Sequence, residues 1–127
     1  MANPNIVAVT SIYGNTSTLL ISSTADPFAT ALVNNAAASG KVYKINSIVV
    51  ANVDASVAAS ITIKIFSQDD PGGTGTAIAS TISIPPSASL IVTDKTTSFY
   101  LLEDKSLGAT ASAANDLVVT CSWEEIN

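Results

Sequence analysis

Short runs in which apolar and polar residues alternate, cut at close intervals by proline or glycine, fill this sequence from end to end. The clearest is Ser60-Ile61-Thr62-Ile63-Lys64-Ile65-Phe66. Its isoleucines point one way and Ser60, Thr62 and Lys64 the other, as a period of two demands of a strand with one buried face. Leu117 to Ile126 repeats the pattern, with Leu117, Val119, Cys121 and Trp123 on one face. In Ser98 to Leu102, Phe99 and Leu101 oppose Tyr100 and Leu102. Ile45 to Val53 is apolar in both phases, so it is either a central strand between two layers or a strand that carries an interface. Ala77 to Ile84 and Ser89 to Thr93 are further strands, separated by Pro85-Pro86. Ala109 to Ala114 has helical propensity, but its neighbours argue for an extended segment.

At the N-terminus, Ile6 to Tyr13 and Thr16 to Ser22 flank Gly14-Asn15, a two-residue hairpin signal because glycine tolerates the positive φ of such turns. Asp26-Pro27 marks a turn before a short run from Phe28 to Val33, and Asn34 to Gly40 reads as a loop. Many short strands broken by turn residues point to an all-β, antiparallel β-sandwich or barrel rather than a parallel sheet, and a jelly-roll sandwich is the expected version. The 127 residues form a single domain, large enough to bury roughly 65–70% of the surface of the unfolded chain. Within it, residues 5–22 form an N-terminal hairpin, arm or added edge, and residues 28–127 form the sandwich.

The side chains restrict the chemistry. The chain has no histidine, its five cations are all lysine, and it has one cysteine. Proton transfer, nucleophilic attack and metal binding therefore lack their usual groups, and no catalytic, cofactor or metal site is expected. Cys121 shares the phase of core residues and has no nearby base to activate it. Asp69-Asp70 with Gly72-Gly73 could ligate calcium, yet the spacing of a calcium loop is missing and a tight turn accounts for the same residues. Adjacent acids in Glu103-Asp104 and Glu124-Glu125 should point to opposite sides of an extended chain, which does not suit paired-carboxylate hydrolysis.

Charged residues make up 12% of the chain, about half the ordinary fraction, and mean hydropathy is +0.43. That is more apolar strand than a small sandwich should hide, and exposed apolar surface marks interaction sites. The net charge of -5 and scattered lysines argue against nucleic acid and anionic membrane as partners. With no signal peptide or spanning segment visible, synthesis in a cytoplasm is expected. The interface candidates are Ile6, Val7, Val9, Ile12 and Tyr13 near the N-terminus, Ile48 and Val50 on the two-sided strand, and Phe66. Phe66 falls on the Lys64 face, where a neighbouring subunit or the N-terminal hairpin would cover it.

The segment Gly40 to Val53 resembles a pattern of small structural proteins of tailed bacteriophages, closest to those of cyanobacterial phages. The resemblance continues through Ser60 to Phe66, Ile84-Pro85, Leu90 to Lys95, Ser98 to Ser106, Thr110 to Asn115 and Cys121 to Ile126. It covers about residues 28–127. One departure is Glu103-Asp104-Lys105-Ser106, where the family often has Glu-Gly-Asp-Ser. The resemblance implies a virion component without enzymatic activity: a head decoration or cement protein on the major capsid protein, or alternatively a neck, tail or fibre component contacting another virion protein. A closed homo-oligomer such as a trimer fits that role. A carbohydrate-binding module is the contrasting reading, and it requires several exposed aromatics on one face.

Overall fold

The computed structural model describes residues 3–22, 24–25 and 31–127. The strands are β1 (Ile12–Leu20), β2 (Ala31–Asn35), β3 (Val42–Asn52), β4 (Ala59–Gln68), β5 (Gly72–Ile84), β6 (Ser89–Thr93), β7 (Phe99–Leu101), β8 (Lys105–Ala111) and β9 (Leu117–Ile126). They form two antiparallel sheets, one ordered β1-β9-β3-β6 with β7 also on β3, the other β2-β8-β4-β5. The pairs are nested: β1 with β9, β2 with β8, β3 with β6, β4 with β5. The chain is thus one long antiparallel ribbon, rolled so that successive pairs fall alternately in the two sheets. The fold is a β-sandwich, the expected one of the two architectures that the alternation allows. The expected Asp26-Pro27 turn and Phe28 lie outside the described residues.

The core lies between the sheets. Ile45, Ile48, Val50, Val119 and Cys121 enter it from the first sheet, and Ile61, Ile63, Leu107, Ala109 and Ala111 from the second. The two-sided pattern of β3 has a specific cause. Against β9, Ile45 pairs with Trp123 and Ser47 with Ser122, so Asn46 is one residue too many. Such an insertion reverses the phase of a strand. Tyr43 and Ile45 before it and Ile48 and Val50 after it therefore all face inward, and β3 is the central strand of its sheet. This corrects the expectation that Ile48 and Val50 belong to an interface: both are completely buried within the single chain.

Two further corrections concern the N-terminus and Phe66. Residues 5–22 are not a hairpin; β1 runs straight through Gly14-Asn15 and pairs without interruption along β9. Gly14 does not adopt positive φ, and the edge of β9 offers a ladder that an isolated hairpin lacks. Phe66 needs no neighbouring subunit to bury it. It lies opposite Gly75, and a Cβ added at Gly75 would sit 2.9 Å from the Phe66 ring. The ring thus covers the bare backbone of a cross-strand glycine, a pairing that protects glycine in sheets.

Hydrogen-bonded side chains hold the connections at both ends. Asn35 is fully buried; its Nδ2 donates to the carbonyls of Lys41 and Leu101, and its Oδ1 accepts from Ser39 Oγ. Asn52, also buried, donates to the carbonyls of Val57 and Ile84 and accepts from the Asp54 amide. Each asparagine ties three chain segments together where no ladder can reach. Asn35→Ala and Asn52→Ala each strand buried carbonyls, so each is expected to lower unfolding free energy by about 2–4 kcal/mol. Ile48→Ala, a cavity at the centre, should cost about 2–5 kcal/mol. Urea titration checks all three; wild-type-like midpoints for the asparagine variants would show that water replaces these bonds.

Candidate interaction surface

The residues before β1 form a strap on the outer face of the first sheet. Asn5 starts it: its Oδ1 accepts from the Val7 amide and its carbonyl from the Ala8 amide. This Asx-type turn places Ile6 and Val7 at its tip, the usual consequence of asparagine bonding to backbone two residues on. Further along, the amides of Thr10 and Ser11 donate to the Asn127 carbonyl, and the Asn127 amide donates to the Ser11 carbonyl. The strap therefore runs from the outer face of the sheet, where Asn3, Pro4 and Ile6 meet Val42, Tyr100 and Leu102, to the end of β9, where it enters β1.

Beneath the strap lies a row of outward apolar residues, fixed by register. Ile12 pairs with Ile126, and Ile126 with Val42. Val42 and Ile126 are buried although they face away from the inter-sheet core. Asn3, Pro4 and Ile6 of the strap, with Val42, Tyr100 and Leu102, line a shallow cavity of about 210 Å³. Around it the surface is apolar: Ile6, Ile12, Tyr100 and Leu102 are exposed, and Val7 is 91% exposed. Of the expected interface residues, Ile6 lines this cavity, Val7 follows it in the strap, and Ile12 stands in the register row of Ile126 and Val42. Val9 is half-buried. Tyr13 is exposed but points to the opposite side of β1, in register with Glu125. Sequence alternation missed Tyr100 and Leu102; their phase opposite the core residues Phe99 and Leu101 was the available signal.

Elsewhere the polar groups serve the turns. Asn34 and Asp70 exchange hydrogen bonds, Asn34 Nδ2 donating to Asp70 Oδ1 and the Asp70 amide to Asn34 Oδ1. Asp69 Oδ2 accepts from the Ala37 amide, and Asp104 Oδ1 accepts from the Asp69 amide. The β4–β5 turn that these acids brace closes through Gly73 at φ +71, where a Cβ would strike Ser67 Oγ. Glu103 is buried and its Oε2 accepts from the Gly40 amide at 2.6 Å. Glu124 accepts from Asn46 Nδ2, while Glu125 pairs with Lys41 at 3.4 Å. Glu125, together with burial as the larger cause, holds the Tyr43 hydroxyl above its ordinary pKa. Among the described residues no three His, Cys, Asp or Glu converge as a metal site.

Tyr43 and Trp123 stack with ring centroids 6.3 Å apart, both packed against the core. The exposed tyrosines, Tyr13 and Tyr100, lie on opposite faces of the first sheet. The aromatic array that a sugar-binding face needs is therefore not assembled among the described residues. Comparison of the chain with protein families, with curated proteins and with solved structures finds no match.

Cys121 sits on the core face of β9 with no exposure, and burial pushes its thiol up to about 12. The thiolate is the reactive form, so native protein should resist thiol reagents at pH 8 and react only on unfolding. The same shift sets a pH dependence. The neutral thiol is favoured by folding, so its contribution is complete below the ordinary value of 9.0 and is lost as pH rises from there towards about 12. Cys121→Ala should remove that alkaline component; an unchanged slope between these pH values would assign it to other groups.

Proposed function

We propose that this chain is a non-enzymatic structural protein of a bacteriophage virion, a decoration protein that seats on the major capsid protein and stabilises the head. The observation that carries the reading is the apolar outer end of the first sheet: exposed Ile6, Tyr100 and Leu102 line one shallow cavity, with exposed Val7 next to Ile6 in the strap and exposed Ile12 in the register row of Val42. A surface of this kind is suited to a protein partner. Each roughly 100 Å² of it removed from water contributes about 2.5 kcal/mol, and over a symmetric shell that gain repeats at every copy. Such additive contacts would resist the outward pressure of packaged DNA.

Three further features support the reading. The nested pairing of β1 with β9, β2 with β8, β3 with β6 and β4 with β5 supports a jelly roll, an architecture found in viral capsid domains, though also in lectins; this is analogy, since a fold hosts many functions. The resemblance to phage structural proteins gains a physical footing at Asp104. Where those proteins often carry glycine, Asp104 sits at φ 58, a left-handed backbone that glycine adopts freely and aspartate tolerates better than most residues. The departure in sequence thus leaves the turn geometry intelligible. Finally, side chains suited to catalysis are scarce throughout the sequence.

The test is binding to capsids. Val7 is 91% exposed, so Val7→Asp should alter stability by no more than about 0.5 kcal/mol while abolishing co-sedimentation with assembled shells. Immunogold labelling or cryo-electron microscopy of intact particles should place hundreds of copies on the head. A few dozen at the neck, tail or fibre would move the chain to that part of the virion. Absence from particles, with shells that bind wild type and Val7→Asp equally weakly, would remove the proposal.

A further inference from the structure

The outer strands of the two sheets are not equally protected. An edge strand exposes unpaired backbone groups, and proteins blunt such edges with shortness, bulges, charge or proline. β5 is long but carries three register shifts against β4, with Thr81 at φ 51. β2 and β6 have five residues each and β7 three, and β2 is also bulged against β8. β1 has none of these devices. Its nine residues, Ile-Tyr-Gly-Asn-Thr-Ser-Thr-Leu-Leu, include no charge and no proline. They pair with β9 without a single shift, and among the described residues β9 is the only strand they pair with.

The free groups of that edge can be assigned. Ser11 and Asn127 exchange hydrogen bonds, and the Ile21 amide donates to the Leu117 carbonyl. In an antiparallel ladder the bonded positions alternate, so odd-numbered residues of β1 bond β9. The N–H and C=O of Ile12, Gly14, Thr16, Thr18 and Leu20 therefore point outward, and all five residues are exposed.

The sequence of this edge is self-complementary. We propose that β1 pairs antiparallel with β1 of a second copy, about a two-fold axis through Thr16, joining the two first sheets into one. Under this register Ile12 lies opposite Leu20, Tyr13 opposite Leu19, Gly14 opposite Thr18, Asn15 opposite Ser17, and Thr16 opposite itself. Apolar residues meet apolar ones at both ends and small polar residues meet in the middle. Like charges, which destabilise directly opposed positions, are absent. The outward-pointing residues face each other as bonded pairs, forming on the order of ten backbone hydrogen bonds. The contact is isologous and closes on itself, which limits the edge to one partner. It does not rest on the virion reading, since either copy can still meet a third protein through its strap.

Sedimentation velocity across a dilution series reaching about 1 mM measures the association. The wild-type chain is expected to sediment as a dimer at the upper end. Thr16→Lys sets two ammonium groups against each other at the axis, and should return the protein to monomer without shifting its thermal midpoint by more than a few degrees. Thr16→Pro removes the outward N–H while sparing the β9 ladder, and should do the same. Thr16→Cys supplies the converse: bonded antiparallel partners have Cα atoms about 5.5 Å apart, within disulfide reach, so mild oxidation should give a covalent dimer. Cys121, fully buried, should take no part. A wild-type monomer throughout the series, or a dimer that survives Thr16→Lys and yields no cross-link through Thr16→Cys, overturns the proposal.

Discussion

Asn46 is the residue that lets β3 serve both halves of its length. Without the extra residue, strict alternation from Tyr43 and Ile45 would send Ile48 and Val50 to the outer face, and the core would lose two of its fully buried side chains. With it, β3 holds β9 on one side and β6 and β7 on the other while keeping its apolar residues inward along the whole strand. The inserted residue is polar and finds a use there: its Nδ2 donates to Glu124 on β9. A bulge at the centre of a sheet also increases local twist, which helps a ribbon of nested pairs to roll into two layers.

Once the central strand is phased, the ends of the sandwich are closed by amides and carboxylates. Asn35 and Asn52 are buried because each satisfies two carbonyls that the ladders leave open. Asp94 caps the 3₁₀ turn at Lys95–Thr97, with the Thr97 hydroxyl accepting from the Asp94 amide in return. Asp54 receives the amides of Ser56 and Val57. The bonds from the Ser56 and Val57 amides to Asp54, and from the Thr96 hydroxyl and amide to Asp94, hold these carboxyls below their ordinary pKa, so they favour the fold at neutral pH and cease to do so as acid protonates them. The scarce acids of this chain are spent largely on its turns.

Much of this was legible in the sequence. β4 and β9 fall where alternation placed them, and the inward row Leu117, Val119, Cys121, Trp123 packs against the core as its phase required. What alternation could not supply was a phase change inside a strand. Ile48 and Val50 looked two-sided because a bulge leaves no mark in composition, only in pairing. Gly14-Asn15 misled for a related reason: the dipeptide permits a turn, but nine unbroken pairs with β9 outweigh a local preference. Phe66 lies on the Lys64 face of β4, where alternation places it, and its ring covers Gly75, a residue with no side chain to announce the contact. The strap surface was half legible. Ile6, Val7 and Ile12 stand out as surplus apolar residues, whereas the meeting of Ile6 with Tyr100 and Leu102 depends on the chain crossing the sheet end.

The two surfaces proposed for this molecule constrain one another. Antiparallel pairing about Thr16 relates the copies by an axis perpendicular to the joined sheet, so both outer faces, and both straps, look in the same direction. Ile12 of each copy lies beside Leu20 of the other, which sets the two strap surfaces roughly 27 Å apart at the rise of an antiparallel strand. A pair so arranged meets a flat protein lattice at two points, and the second contact forms at the high effective concentration fixed by the first. Weak individual patches would then suffice. Edge pairing and face docking use different atoms, the backbone of β1 for one and the side chains around the strap for the other, so neither excludes the other. A small sandwich with little charge can in this way place its surplus apolar surface against a partner without exposing a second, open-ended route to aggregation.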